Sequence, residues 1–301
     1  MRAAYLAWLA VCLIWGTTYL GIRIALETIP PALVGGIRFT LAGVILAAVL
    51  YLRGERLPPK SYWGGLALVG VLTIGVGNGG VVWAEQWVPS GFAALLVAAS
   101  PFWMAGIEAL LPGGERLRVR VVGGLLLGFS GIVLLVWPDL TVGGVRGRQF
   151  ALGVVALQIA CLGWSLGSSY SRRHGREENA LGAAALQMIF GGVIMLIAAT
   201  ILGEWRNLTF TPRTFAAELY LLLVGSLLAY PAYVYALKHL PVSTVSLYAY
   251  INPVIAVLLG TILLDEPFGA RVILAGALVF LGSAVVRWSA TRGKKIGTQN
   301  A

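Results

Sequence analysis

The chain has 301 residues, of which 58% are hydrophobic and only 11% are charged, and its mean hydropathy is +0.85. A water-soluble globule of this length needs more polar residues to cover its surface, so the composition excludes a soluble fold and predicts a membrane protein. The net charge of +10 comes from 22 Lys and Arg residues in short clusters between apolar runs. Such scattering argues against a nucleic-acid-binding face and is typical of topology signals.

Ten apolar runs follow one another along the chain. A helix needs about 20 apolar residues to cross a hydrocarbon core of ~30 Å, and only helices and closed barrels satisfy every backbone group there. We therefore predict an all-α membrane protein with ten transmembrane helices. Their expected positions are residues 3–22, 32–52, 63–83, 89–111, 119–137, 150–170, 180–202, 215–237, 241–264 and 270–289.

The basic residues between the runs predict the orientation of the chain. If the N-terminus is cytoplasmic, 15 Lys and Arg residues fall on the cytoplasmic side and 7 on the other side. The positive-inside rule then places both termini in the cytoplasm of a bacterial cell, in a multi-pass inner-membrane protein. Residues 291–301 become a cytoplasmic tail, and the loops near 84–88 and 265–269 face the periplasm.

The two halves of the chain share short motifs at a nearly constant offset. The matches are Cys12 to Trp15 with Cys161 to Trp164, Gly16 to Tyr19 with Gly167 to Tyr170, Pro89 and Pro101 with Pro241 and Pro253, and Glu115 with Glu266. The offsets stay between 149 and 152 residues, which chance rarely produces four times in order. Because five spans per half is an odd number, the second half enters the membrane from the opposite side. We predict two inverted repeats, residues 1–138 and 139–290.

The proline motifs resemble those of a known transporter family. The stretch from Val88-Pro89-Ser90-Gly91 to Ser100-Pro101, with Glu115 and the glycines of 123–131, is similar to an EamA-type unit of the drug/metabolite transporter superfamily. A second such unit runs from Leu240-Pro241 through Asn252-Pro253 to Asp265-Glu266-Pro267. This resemblance covers nearly the whole chain and implies ten helices in inverted five-helix repeats that export or exchange metabolites. Within the family, the aromatic-rich spans are most similar to YddG-type amino-acid exporters.

Polar and aromatic residues at matched depths in the spans are the candidate lining of a substrate cavity, because polar groups in hydrocarbon seldom face lipid. Tyr248 and Asn252 stand at i and i+4 and share one helix face, as Ser100 and Trp103 do at i and i+3. Rings would hold an apolar side chain, and neutral hydrogen-bonding groups would hold a zwitterion. The predicted substrate-binding residues are Trp15, Thr18, Asn78, Ser100, Trp103, Trp164, Ser168, Tyr230, Tyr248 and Asn252.

Three prolines inside spans predict helix kinks at Pro101, Pro231 and Pro253. Each leaves the carbonyl four residues earlier without a helix donor, so that a substrate ammonium could bind the carbonyls of residues 97, 227 and 249. Bending for packing alone explains each proline equally well. The glycine-rich run 75–80 indicates either close helix approach or backbone exposed beside a cavity.

Charged residues are nearly absent from the middles of the spans. Arg38, Glu108 and Glu218 lie toward span ends, where long side chains are expected to reach the interface. Only Glu108 is a candidate for proton coupling. The sequence therefore favours a cavity without fixed charge and facilitated diffusion of neutral or zwitterionic solutes.

These observations favour a secondary transporter that exports small organic metabolites, above all neutral and aromatic amino acids, by alternating access. An exporter of another metabolite or drug, a solute channel, and a receptor or structural protein stay open as alternatives. An enzyme is disfavoured, since His174 and His239 lie in loops and no metal-ligand or nucleophile motif is present. The expected partners are a small-molecule substrate and the lipid bilayer, with no nucleic acid, cofactor or metal, and a monomer is sufficient.

Overall fold

A computed structural model describes residues 2–110, 119–174, 179–240, 245 and 248–297. The described residues form helices joined by loops and contain no strand. Eight of these helices are long and apolar enough to cross a membrane, and two shorter apolar helices lie near the C-terminus. This confirms the predicted all-helical fold with apolar helices, while the number of ten membrane spans and their inverted arrangement stay predictions.

The helices are α1 (Arg2–Ala25), α2 (Pro31–Leu52), α3 (Lys60–Ala84), α4 (Ser90–Val97 and Ser100–Leu110), α5 (Val119–Thr141), α6 (Gly144–His174), α7 (Ala180–Ile201), α8 (Pro212–Tyr220, Leu221–Leu228 and Ala229–His239), α9 (Tyr248–Leu264) and α10 (Ala270–Gly297). Most ends agree with the predicted runs within a few residues, but α6 starts six residues earlier than predicted. The predicted start of the ninth run, at residue 241, lies outside the described residues.

Side chains from neighbouring loops cap several helix N-termini. The Asn179 side chain accepts a hydrogen bond of 2.9 Å from the Gly182 amide at the start of α7. At the start of α8, Thr211 and Thr214 form a reciprocal capping box. These contacts satisfy amides that have no partner inside the helix.

Two carboxylates cap helices that are distant in sequence. Glu266 accepts bonds of 2.7 and 2.9 Å from the amides of Ser90 and Gly91, which start α4. Glu204 accepts a bond of 3.1 Å from the Leu33 amide in the first turn of α2. Burial raises the pKa of the Glu204 carboxyl, and the backbone hydrogen bonds oppose that rise. The motif residues Ser90, Gly91 and Glu266 thus join α4 to the end of α9, while Glu115 lies outside the described residues.

The loops assigned to the outer side meet at one end of the bundle. Glu266 joins the loop after α9 to the start of α4, and Thr28 donates to the Thr209 carbonyl at 2.8 Å. At the opposite end, the Asn179 amide donates to Glu55 at 3.2 Å. The described loops therefore alternate between two ends as predicted, whereas the orientation of these ends in the membrane stays a prediction.

Glycines allow close contacts between the helices. A Cβ atom on Gly70 of α3 would lie 2.3 Å from the carbonyl oxygen of Gln187 in α7, and one on Gly282 of α10 would lie 2.5 Å from that of Gly124 in α5. In the glycine-rich run, Gly77 faces the ring of Trp164 and Gly80 faces Ala160, both in α6. Small residues permit such approach in membrane helices, so at these two positions the run serves packing.

Three of the helices depart from regular α-helical geometry. In α3 and α8, the stretches Val71–Asn78 and Leu221–Leu228 are π-helical, and they begin 150 residues apart. The helix α4 is interrupted at residues 98–99, directly before Pro101, whereas α9 continues through Pro253. Wider, π-helical turns such as those of α3 and α8 are frequent at functional sites.

Candidate functional site

A cavity of about 100 Å³ lies inside the bundle, between α1, α2, α3, α4, α6, α8 and α9. Eight of the ten predicted binding residues line it. These are Trp15, Thr18, Asn78, Ser100, Trp164, Tyr230, Tyr248 and Asn252, and Pro253 lies beside them. Residues predicted at matched depths in the two halves thus lie around one cavity, although their binding of a substrate stays a prediction.

Several predicted site residues lie away from the cavity wall, namely Trp103 and Ser168 and the kink residues Pro101 and Pro231. The Trp103 indole instead donates a hydrogen bond of 3.0 Å to Gln158 in α6. Ser100 and Trp103 were expected to share a face, yet only Ser100 reaches the cavity. The spacing of residues along one helix does not show which neighbouring helix packs against each turn.

Rings form one wall of the cavity. Trp15 stands at their centre, with ring centroids 5.7 Å from Trp164, 5.2 Å from Tyr248 and 5.0 Å from Tyr233. The Trp15 indole donates to the Gly225 carbonyl at 3.3 Å, which fixes its orientation. The first two ring pairs meet edge to face, a favourable arrangement.

Tyr233 is a member of this cluster that sequence reasoning missed. It is 9% exposed and packs against Trp15, Trp164 and Tyr248. The available signal was its spacing, because it follows Tyr230 by three residues and therefore lies on a neighbouring part of the same helix face.

The neutral polar groups of the cavity already use many of their donors. In the amide orientation that satisfies its neighbours, Asn252 donates to the carbonyls of Tyr248 at 3.1 Å and Cys12 at 2.9 Å. Ser100 donates to the Val97 carbonyl at 2.6 Å, and Thr18 donates to Trp15 at 2.8 Å. The Val97 carbonyl, which Pro101 leaves without a helix donor, thus has a local partner. The oxygens of these groups keep acceptor capacity, but little donor capacity is left for a carboxylate.

Arg38 supplies the donor capacity that the neutral groups lack. Its side chain lies on the cavity wall and is only 2% exposed, so the expected extension to the interface is wrong. The expectation of a cavity without fixed charge is wrong as well. The physical reason is that α2 also packs against α3 and α8, and Asn78 of α3 binds the guanidinium. This packing surrounds the Arg38 side chain with protein.

The guanidinium of Arg38 is only partly satisfied. Its Nη2 donates to Oδ1 of Asn78, and its plane lies over the ring of Phe39, 4.5 Å from the centroid. Within the described part of the chain, Nε and Nη1 have no hydrogen-bond partner. A buried, partly satisfied guanidinium is costly and marks a functional position by default.

Two buried carboxylates act on Arg38 through their charge. Glu218 in α8 is 5% exposed, and Glu85 at the end of α3 is fully buried. None of their carboxylate oxygens has a hydrogen-bond partner among the described residues. The expected extension of Glu218 to the interface is therefore wrong too, and the Glu108 side chain lies outside the described set. The sequence feature that could have indicated these buried acids is the rarity of charged residues inside apolar runs.

A second buried polar pair resembles that of Arg38 and Asn78 in its place along the chain. The Tyr230 hydroxyl in α8 donates to Gln187 in α7 at 2.8 Å. Gln187 follows Arg38 by 149 residues, and Tyr230 follows Asn78 by 152 residues, close to the offset of the sequence motifs. The same pair of spans in each half is thus joined by one side-chain hydrogen bond.

Comparison with known proteins identifies relatives along almost the whole chain. The model of the EamA-like transporter family matches residues 2–137 and 151–288. The inner membrane transporter YedA of Escherichia coli K12, described as uncharacterized, is 39% identical over 90% of this chain and 86% of its own length. Protein PecM of Dickeya dadantii is 28% identical over 95% of this chain and 92% of its own length.

A solved crystal structure of another protein shares the fold. It superposes with a TM-score of 0.67 at 24% sequence identity and covers 94% of this chain and 96% of the other. This likeness concerns the arrangement of the helices alone. Together with the apolar helices, the inner-membrane relative supports a multi-pass location in that membrane.

Proposed function

Because the chain belongs to the EamA-like transporter family, we propose that it exports small organic solutes, and amino acids with apolar side chains in particular, across the inner membrane. One observation carries this proposal: the cavity is lined by rings and polar groups from both halves of the chain. An enclosed, mostly apolar pocket with a few convergent polar groups is the usual form of a small-molecule site.

Alternating access between two inverted repeats is the proposed mechanism. It is supported by the π-helical stretches that begin 150 residues apart and by the matched polar pairs of Arg38 with Asn78 and Gln187 with Tyr230. Inverted repeats frame a midplane site that opens to either side when the halves exchange conformations. The domains of this proposal are residues 1–138 and 139–290, with residues 291–301 as a tail.

The chemistry of the cavity supports the proposed substrate class. Trp15, Trp164 and Tyr248 offer faces and edges for an apolar or aromatic side chain. The carbonyl of Ala249, which Pro253 leaves without a helix donor, and the Asn252 oxygen offer acceptors for an ammonium. The printed names of the relatives mention no amino acid, so the resemblance to YddG-type exporters stays part of the proposal.

Uptake into liposomes tests this function. Purified protein would be reconstituted, and entry of labelled phenylalanine and methionine would be followed with and without a pH gradient. We expect saturable uptake, which Trp164→Ala lowers at least about tenfold because the substrate loses a ring contact and its orientation.

Trp103→Ala is the matched control, since it removes an indole of the same size away from the cavity wall. It is expected to keep most of the uptake at equal folded yield. Equal loss from both variants would point to general destabilisation, and non-saturable flux of every amino acid would contradict the proposal in favour of a channel.

A further inference from the structure

Arg38 carries a charge for which an exporter of neutral solutes has no use. Among the described lining residues it alone bears a fixed charge, at the first-half wall of the cavity. Its Nε and Nη1 have no hydrogen-bond partner among the described residues, and 98% of the residue is hidden from solvent. Such a group needs either a stable counter-ion or a ligand that supplies one.

We propose that Arg38 binds the carboxylate of the transported solute, so that the substrates are organic monocarboxylates, α-amino acids included, and amines without a carboxylate are not carried. This inference rests on the proposed function and deepens it. Arg38 is the residue that determines specificity in the cavity, and the second charged end of a zwitterion is an addition that binding does not require.

The geometry of the guanidinium fits this role. Asn78 accepts from Nη2 and the Phe39 ring lies under the guanidinium plane, so the group is held on two sides. The two remaining nitrogens are buried without a partner among the described residues, on a side chain that lines the cavity. A planar guanidinium with several donors matches the two oxygens of a carboxylate, and charge-assisted bonds of this kind are about twice as strong as neutral ones.

Asn252 and Ser100, the neutral donors beside the helix prolines, do not compete for this role. Both Asn252 hydrogens are used on the carbonyls of Cys12 and Tyr248, and the Ser100 hydroxyl is used on Val97. A carboxylate placed against these groups would meet oxygens. Arg38 therefore supplies the carboxylate donors that the predicted neutral groups lack.

The single guanidinium sets the number of negative charges that the site accepts. Glu218 and Glu85 act on Arg38 through space, and their carboxylates make no hydrogen bond to it. They leave its donors free. A second carboxylate on the solute would meet no cationic side chain among the described lining residues, so the site favours monocarboxylates over dicarboxylates.

Binding to the purified full chain in detergent tests the proposal without a transport step. The probes are 3-phenylpropionate, phenylalanine and 2-phenylethylamine, which share a ring and differ in their charged groups. Quenching of tryptophan fluorescence reports binding, because Trp15 and Trp164 line the cavity. We expect both carboxylates to bind at least about tenfold more tightly than the amine, as expected for a charge-assisted bond.

Two variants assign the binding to Arg38. Arg38→Gln should weaken both carboxylates about 10- to 100-fold, the range of a bond to a charged group. Arg213→Gln is the matched control, since Arg213 forms an ion pair with Glu27 at 3.2 Å and its side chain is 58% exposed. Asn78→Asp keeps Arg38 but gives it a fixed carboxylate partner, so the variant should fold and should also lose carboxylate binding.

The outcomes separate this inference from the proposed function. Carboxylate binding that Arg38→Gln weakens, without uptake into liposomes, supports Arg38 and contradicts transport. Uptake or binding that Arg38→Gln and Asn78→Asp both leave unchanged overturns the inference. Equal binding of 2-phenylethylamine and 3-phenylpropionate, or no binding of either carboxylate, overturns it as well.

Discussion

Each half of the chain joins its second and third spans, α2 with α3 and α7 with α8, by a buried polar pair. In the first half the Arg38 guanidinium donates to Asn78, and in the second half the Tyr230 hydroxyl donates to Gln187 at 2.8 Å. The second pair is neutral, and the two groups satisfy each other. The first pair contains a charge with two unpartnered nitrogens.

The difference between the pairs shows how a duplicated scaffold can bind an asymmetric solute. The second pair needs no further partner and can serve to hold α7 against α8. The first pair has the same place in the fold but keeps donors for a ligand. Residues of both pairs line the same cavity, namely Arg38, Asn78 and Tyr230. In our proposal the carboxylate end of the solute therefore lies toward the first half.

The largest expected loss of stability comes from disturbing the close contact between α3 and α7 beside Gln187, a member of the second pair. In Gly70→Ala the new Cβ would lie 2.3 Å from the Gln187 carbonyl oxygen, a backbone atom that cannot move aside without shifting α7. Overpacking of this kind should cost about 3 kcal/mol of folding free energy. Unfolding in a detergent titration, followed by tryptophan fluorescence, measures it.

Gly64→Ala is the control on the same helix, because a Cβ there meets nothing within 4 Å. Its free energy of unfolding should stay within about 0.5 kcal/mol of the native value. If both glycine variants were equally stable, the close contact of α3 with α7 would be wrong.

A smaller loss is expected when the charged pair is broken. Asn78→Leu removes the acceptor of the Arg38 Nη2 and leaves a buried guanidinium without a hydrogen bond to any described residue. The expected cost is about 2 kcal/mol, as for a bond to a charged group. The same detergent titration measures this cost, and a variant as stable as the native chain would show that Arg38 has another partner.

The neutral pair should be worth least. Tyr230→Phe removes one hydroxyl and should lower the free energy of unfolding by about 1 kcal/mol, the usual value of a neutral hydrogen bond. Tyr51→Phe, at a residue that is 78% exposed, provides the matched control and should be silent. A loss from Tyr230→Phe that exceeds the loss from Asn78→Leu would reverse the comparison of the two pairs.

Sequence reasoning located the helices well because their main requirement is local. A run of about 20 apolar residues with polar ends is visible without knowing its neighbours. Matched depth in two halves was also sufficient to bring Trp15, Trp164, Tyr248 and Asn252 to one cavity. The spacing of these residues along their own helices carried that information.

The direction of a single side chain depends on packing that no single span displays. Arg38 lies seven residues after the start of α2, where a long stem could have reached the interface, but its side chain is buried and bound to Asn78 of α3. Trp103 follows the interruption of α4 at residues 98–99, and Gln158 of another helix supplies its partner. Such neighbours are set by the tertiary arrangement.

Substrate protection of Cys161 is the most direct test of the claim that solutes bind in this cavity. Both cysteines are buried, but Cys161 lies on the cavity wall and Cys12 does not, so Cys12→Ala leaves one informative thiol. Its rate of modification by a small maleimide would be measured in reconstituted protein with and without phenylalanine. We expect phenylalanine to slow the reaction about twofold at concentrations that half-saturate uptake, since an occupied site excludes the reagent and about half of the sites are then occupied. An unchanged rate at saturating phenylalanine, in protein that still takes up phenylalanine, would contradict the account.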